Sequence, residues 1–296
     1  MANSELTLSV PVREDIKNPA FALKNLVSPD KAHTTQPLNS TFLSNLLLNT
    51  DTIQLMHTYI ISDLHLTPER PHITKAFFEF LATQVPQAEK LYIIGDLFEF
   101  WIGDDAAELL GAGPVLDAMK AISQVTDCYF MPGNRDFLVR ESFSERTGFS
   151  LLEDESIIDF YGTKTLLLHG DSLCTDDIAH QQFRQTMMTN KLFCDGFLAL
   201  DVPARIEQAK QARMQSAQHK SEVSMGIMDV TESAVLAAFE QHDVQQMIHG
   251  HTHRQNIHHY QHNDKTATRY VLGDWGETNS VMRIDQSGIN IDNKPI

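Results

Sequence analysis

TYIISDLHL occupies Thr58–Leu66, and its two halves differ in kind. Tyr59, Ile60 and Ile61 make a short apolar run; Asp63 and His65 follow directly. The same join recurs in KLYIIGDLF (Lys90–Phe98), DCYFMPGNRDF (Asp127–Phe137), KTLLLHGDSL (Lys164–Leu173) and VQQMIHGHTH (Val244–His253). TRYVLGDWG (Thr268–Gly276) adds a further strand. Apolar runs of this length, bounded by polar bursts, read as buried strands. Helical stretches lie between them, at Lys75–Val85 and around Leu116–Val125. Strands alternating with helices specify an α/β chain. In layered folds of this class, functional groups gather beyond the carboxyl ends of strands. Each run here ends in Asp, His, Asn or Gly.

Upstream of this pattern the text changes. Residues 1–55 are rich in Asn, Ser, Thr and Lys, with prolines at Pro11, Pro19, Pro29 and Pro37. They read as a disordered N-terminal extension, with Met56 as a candidate start, and residues 56–296 as the catalytic domain. Residues about 175–230 break the strand–helix rhythm and read as a helical insertion, with Pro203 near the start of one helix. Phe183, Met187, Leu192, Phe193, Phe197, Leu198 and Leu200 give it apolar surface. Arg205, Lys210, Arg213 and Lys220 against Glu207 give it a basic stretch.

The chain has 296 residues and a formal charge of −16, so broad nucleic-acid binding, which runs on Lys and Arg, is disfavoured. Cys128, Cys174 and Cys194 form no paired framework and read as reduced thiols. No signal peptide and no membrane-length apolar run is visible.

Five short motifs carry the chemistry: Asp63-x-His65, Gly95-Asp96, Gly133-Asn134-Arg135-Asp136, His169-Gly170-Asp171 and Gly250-His251-Thr252-His253. A lone Gly-Asp or Asp-x-His is most often a turn. Five in order, each behind an apolar run, are not explained that way. Carboxylate, imidazole and amide oxygen together suit Mn²⁺, Fe or Zn²⁺ better than a thiolate site would. At a strand end, residues i and i+2 face one side, so Asp63 and His65 can reach one ion. His249 reads as a supporting imidazole, and the group His258, His259 and His262 as a solvated loop. Gly103-Asp104-Asp105 reads as a solvated turn, with a supporting role near the site as the alternative.

This order of motifs resembles the calcineurin-like metallophosphoesterase superfamily. The resemblance implies a four-layer α/β/β/α sandwich with the helical insertion as a cap. It implies one metal on Asp63, His65, Asp96 and His253 and a second on Asp96, Asn134, His169 and His251. Two Mn²⁺ are expected, with Mg²⁺, Fe or Zn²⁺ as alternatives, about 3.5–4 Å apart and activating a hydroxide. Many relatives carry His after the Asn of the third motif, where it protonates a leaving alkoxide. Arg135 stands here instead. Arginine keeps its charge at any working pH, so it clamps phosphate oxygens rather than donating a proton. That suits a leaving group that departs as a stable anion, and so favours pyrophosphate cleavage.

FEFWIGDD (Phe98–Asp105), GNRDFL, LLHGDSLCTDD, IMDV and IHGHTHR are similar to the pyrophosphatase family that cleaves UDP-2,3-diacylglucosamine in lipid A synthesis. This closer resemblance implies UMP and 2,3-diacylglucosamine 1-phosphate (lipid X) as products. It implies Asn134, Arg135 and His251 as catalytic residues and Asn134, Arg135, Asp177, Ser216 and His251 as substrate contacts. Further contacts are expected near Lys220 and Val223, where the family pattern has Asn and Lys. Gly273-Asp274-Trp275 also departs from the family's Gly-Ala-Trp. A monomer on the cytoplasmic face of the inner membrane, at an anionic surface, is the implied setting. The competing readings are another metallophosphoesterase, such as a nuclease, and a scaffold that kept the fold without the chemistry. No expected ligand is missing, which disfavours the scaffold.

Overall fold

The computed structural model describes residues 56–222, 227, 229–262 and 265–296. The expected N-terminal extension lies outside the described residues. Six strands form one sheet in the order β11-β10-β1-β2-β3-β4. They are β1 (His57–Ile61), β2 (Lys90–Ile94), β3 (Asp127–Met131), β4 (Ser150–Leu151), β10 (Thr278–Asp285) and β11 (Gly288–Pro295). Five form a second sheet in the order β5-β6-β7-β9-β8: β5 (Ser156–Phe160), β6 (Thr163–Leu167), β7 (Gln246–His249), β9 (Lys265–Val271) and β8 (Asn256–His262).

The apolar runs are continuous because both faces of the central strands are covered. In β2, Leu91 and Ile93 face one cluster, shared with Ile73, Phe77, Phe80 and Leu81 of α1 (Pro71–Thr83) and Met119 and Ile122 of α2 (Gly113–Ile122). Tyr92 and Ile94 face the other way, into a cluster with Phe160, Leu167, Ile248 and Leu272 of the second sheet. Beyond that sheet, Leu166, Met247 and Ala267 meet Val235 and Phe239 of α7 (Glu232–His242). Three apolar layers separate four layers of elements, which is the α/β/β/α sandwich. α1 and α2 both start earlier than periodicity suggests. Pro71 and Gly113-Pro114 open them, since a proline in the first turn loses no hydrogen bond and has φ already set.

β1, β2 and β3 run parallel and adjacent, so their carboxyl ends share one edge. β6 and β7 are likewise parallel in the facing sheet. The five motifs lie just past these ends and are therefore gathered in space although nearly 190 residues separate the first from the last.

Between β6 and α7 the described residues include α4 (Ile178–Phe183), which runs into a π-helical turn, Arg184–Met188, followed by α5 (Lys191–Leu198) and α6 (Val202–Glu222). α3 (Glu141–Thr147) lies in the first half of the chain. Asp177 and Asn190 accept backbone N–H groups at the starts of α4 and α5. Two sequence expectations need correction here. The basic stretch of α6 is not a free patch, because Arg205 is 2% exposed and paired with Asp105, and Arg213 is paired with Glu99. His258 and His259 lie on an edge strand rather than a loop, since antiparallel pairing with β9 satisfies that backbone. Of the expected chamber residues, Phe197 and Leu198 pack on the main core, while Leu192 is 85% exposed.

Candidate metal centre

Asp63, His65, Asp96, His251 and His253 all have left-handed backbone, with φ between 48° and 65°. Such conformations are uncommon for residues with a Cβ and collect at functional sites. Asp63 and His65 thus reach the same side through two left-handed residues beyond β1, not through strand alternation as their spacing suggests. The glycines permit the close packing of these loops. A Cβ at Gly133 would strike the carboxylate and backbone nitrogen of Asp96, and one at Gly250 would strike Asp63 and Ser62.

Two sets of donor atoms result. In the first, His65 Nε2 lies 3.2 Å from His253 Nε2. His253 Nε2 is 3.3 Å from Asp63 Oδ1, and His65 Nε2 is 4.0 Å from Asp96 Oδ2. In the second, Asn134 Oδ1 lies 3.0 Å from His169 Nε2 and 2.9 Å from His251 Nδ1. His169 Nε2 is also 3.6 Å from Asp96 Oδ1. Asp96 thus turns one oxygen to each set. Asp63 Oδ1 is buried with no hydrogen bond. A buried carboxylate oxygen left without a donor, facing ring nitrogens that face each other, fits divalent cations of the oxygen- and nitrogen-ligated kind. Ligand atoms of Asp63, His65 and His253, and of Asp63, Asp96 and His169, lie within 4.8 Å of one another.

Charge within this buried cluster is strongly coupled. Burial raises the Asp96 carboxyl, His169 opposes this, and Asp136 and Asp63 add to it, leaving it at about 7. Burial works against the His169 imidazolium, yet Asp96, Asp63 and Asp171 outweigh it and raise that group to about 9. Burial holds His65 down at about 3 against the pull of Asp63, and it holds His251 well below its usual range. Burial would raise Asp63, but the His253, His169 and His65 rings keep it well below the ordinary carboxylate range.

The nitrogens that face away from the cluster have acceptors in reach. His169 Nδ1 meets the carbonyl of Ile94 at 3.1 Å. His65 Nδ1 lies 3.5 Å from Glu99 Oε2, and His253 Nδ1 lies 3.6 Å from Asp274 Oδ2. Such outer partners set the tautomer that leaves the other nitrogen free to ligate. Asp274, the departure from the expected Gly-Ala-Trp, therefore has a neighbour of consequence. Its adjacent Trp275 is fully buried and donates its backbone N–H to the Asp63 carbonyl at 3.0 Å.

Several supporting residues escaped the sequence reading. Asp136 is buried and accepts backbone N–H groups from Gly133 (2.7 Å), Leu97 (2.8 Å), Asp96 and Phe98 (both 3.3 Å). It ties the second motif to the third. Asp136→Ala strands these donors and is expected to lower unfolding stability by about 3 kcal/mol. Urea denaturation checks this; a loss under about 1 kcal/mol would remove the role. Of the two readings of Asp104 and Asp105, the supporting one fits Asp104, while Asp105 remains exposed. Asp104 accepts from the Trp101 indole at 2.9 Å and the Phe143 N–H at 2.9 Å, holding the start of α3, while Asp105 pairs with Arg205. Asp171 accepts from His180 (3.2 Å) and Arg184 (3.1 Å), and Arg184 also pairs with Asp154. The only signal in the text was an Asp just past each turn, which sequence alone does not separate from solvated turns.

His249 is fully buried between the Gly250 carbonyl (2.9 Å) and Arg269 (2.9 Å), as expected of a supporting imidazole. Arg135 is half-buried, and its backbone N–H donates to Asp96 Oδ1 at 2.8 Å. Among the described residues no carboxylate pairs with its guanidinium. The Asp177 carboxylate is turned to the His180 N–H at 3.0 Å. Ser216 and Lys220 lie in α6 with side chains outside the described set, and Val223 lies outside the described residues. The His180 ring stands 5.4 Å from that of His251, so α4 flanks the second donor set.

The family model for calcineurin-like phosphoesterases matches residues 56–255. A UDP-2,3-diacylglucosamine hydrolase of Xanthomonas campestris pv. campestris is 46% identical over 245 residues, covering 80% of this chain and 98% of that protein. One of Stenotrophomonas maltophilia is 47% identical with the same coverage. Among solved structures, a dimetal phosphatase from Danio rerio matches with TM-score 0.45 and 13% identity, covering 81% of this chain and 96% of that one.

Proposed function

The chain belongs to the calcineurin-like phosphoesterases, and from that membership we propose that it hydrolyses the pyrophosphate bond of UDP-2,3-diacylglucosamine to UMP and 2,3-diacylglucosamine 1-phosphate. The observation that carries the catalytic part is the pair of donor sets joined by Asp96. Divalent cations held by Asp63, His65, Asp96 and His253, and by Asp96, Asn134, His169 and His251, would acidify a water and supply positive charge at phosphorus. Mn²⁺ is the metal we assign from the family resemblance, with Mg²⁺, Fe or Zn²⁺ as alternatives; the donor mixture does not separate Mn²⁺ from Fe or Zn²⁺.

The protein's own groups do the rest. Arg135, whose guanidinium is paired with no carboxylate among the described residues, is suited to two oxygens of the phosphate that departs with the sugar. Asn134 orients between the His169 and His251 rings. No side-chain acid is needed, because a sugar phosphate leaves as a stable anion. Asp177 and Ser216 are assigned to the substrate on the family pattern; Lys220 and Val223 are assigned by position alone, since they stand where that pattern has Asn and Lys.

The insertion, with Ile178 72%, Leu192 85% and Met214 64% exposed, is assigned as the cap that takes the acyl chains and rests on the cytoplasmic face of the inner membrane. No helix among the described residues is long and apolar enough to cross a membrane. Surface attachment of a monomer is the arrangement we assign from the family resemblance. Shortening the acyl chains is expected to weaken binding by about 0.8 kcal/mol per buried methylene lost. Competition by chain-length analogues measures it, and affinity independent of length removes the acyl role.

The test of the reaction is incubation of the protein with UDP-2,3-diacylglucosamine and Mn²⁺ in ¹⁸O water. UMP carrying the label is expected. Label on the lipid phosphate would place attack at the other phosphorus, and absence of UMP would sink the assignment.

A further inference from the structure

Glu99 has two neighbours that belong to different parts of the molecule. On one side its Oε2 lies 3.5 Å from Nδ1 of His65, a member of the first donor set. That Nδ1 is buried and has no hydrogen bond. On the other side its Oε1 is paired with the guanidinium of Arg213 on α6, and Arg213 also donates to the Glu99 carbonyl at 2.8 Å. The same guanidinium stands 6.0 Å over the ring of Phe100. About two turns nearer the start of α6, Arg205 is buried against Asp105 and the Ile102 carbonyl, at 2.6 Å from the latter. The helix of the insertion is thus fastened to the segment Glu99–Asp105, which begins three residues after Asp96.

We propose that Glu99 is a positioning residue that couples metal occupancy of the first donor set to docking of α6 on the core. The proposal rests on the metal reading above. When His65 ligates through Nε2, its proton must sit on Nδ1, and Glu99 is the acceptor in reach. A glutamate has three rotatable bonds, and this side chain is 23% exposed, so free of α6 it samples positions that do not face His65. Arg213 holds one oxygen and leaves the other aimed at the imidazole. The Arg213 charge is matched by Glu99 itself, so its repulsion of a cation is small beside this pre-orientation.

Coupling of this kind runs both ways with the same factor. Whatever docking of α6 contributes to metal affinity, metal contributes to docking of α6. The insertion would therefore settle against the core when the first donor set is loaded. Metal occupancy would be tied to the state of the element assigned to the substrate.

The test uses the full chain and Mn²⁺ alone. Affinity is measured by calorimetric titration for the wild type, Glu99→Gln, Arg213→Gln and the double variant. Hydrogen exchange of the 202–214 amides is followed with and without Mn²⁺. Both side chains are partly exposed, so the variants should fold, and thermal melts verify this. Glu99→Gln is expected to weaken Mn²⁺ binding about tenfold. Arg213→Gln should weaken it several-fold, with no further loss when added to Glu99→Gln. Mn²⁺ should slow exchange over 202–214 in the wild type and not in Glu99→Gln. Independent, multiplying effects of the two substitutions would overturn the coupling, as would exchange that ignores bound Mn²⁺ in the wild type. A wild type that binds no Mn²⁺ would instead defeat the metal reading beneath it.

Discussion

Replacing Asp96 by Ala is expected to lower kcat by about 10³-fold or more. This carboxylate faces both donor sets, with Oδ2 at 4.0 Å from His65 and Oδ1 at 3.6 Å from His169. On the proposed assignment its removal would take away the shared ligand and leave two half-sites. It also takes away the acceptor of the Arg135 N–H, so the loop that carries Asn134 and Arg135 loses a fixing point. Asp96 sits at φ 55°, and an Ala there is strained as well. Asp96→Asn separates these effects, because the amide keeps the shape and one acceptor oxygen but lacks the charge. Both variants should lose Mn²⁺ content along with turnover. Turnover within tenfold of the wild type in Asp96→Ala would remove the bridging role.

Arg135→Ala is expected to lower kcat by about 10²–10³-fold, the loss seen when one pre-organised charge donor at a reacting centre is removed. Its hydrogen bonds tighten only as charge develops on the leaving phosphate, so KM should change less than kcat. Arg135→His should restore nothing, since the missing property is a permanent, planar charge rather than a proton. Arg135→Lys should recover part of the rate as a point charge. Mn²⁺ content should stay at the wild-type level throughout, because Arg135 ligates through no side-chain atom. Full activity in Arg135→His, with a new bell-shaped pH profile, would show proton donation and reverse the assignment.

The fold was legible because burial on two faces leaves a plain mark: runs such as Tyr59–Ile61 and Leu91–Ile94 need no alternation, and each ends where the backbone meets polar loops. β8, β10 and β11 were not legible in the same way. β8 and β11 are edge strands with a solvated face, and Asn256–His262 is mostly polar; β10 is antiparallel and buried on both faces, but its apolar positions Val281, Met282 and Ile284 are mixed with Asn279, Ser280 and Arg283. Their pairing is set by neighbouring strands that lie elsewhere in the chain.

By itself, the sequence determined which atoms are available for chemistry: the carboxylates of Asp63 and Asp96, the amide of Asn134, the imidazoles of His65, His169, His251 and His253, and Arg135 in place of an acid. It determined this because ligand chemistry depends on residue type and on position just past a strand. Only the tertiary structure decided that Asp96 turns one oxygen to each donor set, and that Asp136 joins two loops through four backbone donors. It alone placed Arg205 and Arg213 against Asp105 and Glu99 instead of in solvent. Charge in the text carries no record of its partner. An arginine on a helix and a glutamate in a loop, more than a hundred residues apart, become a pair only when packing of the helix excludes water from between them.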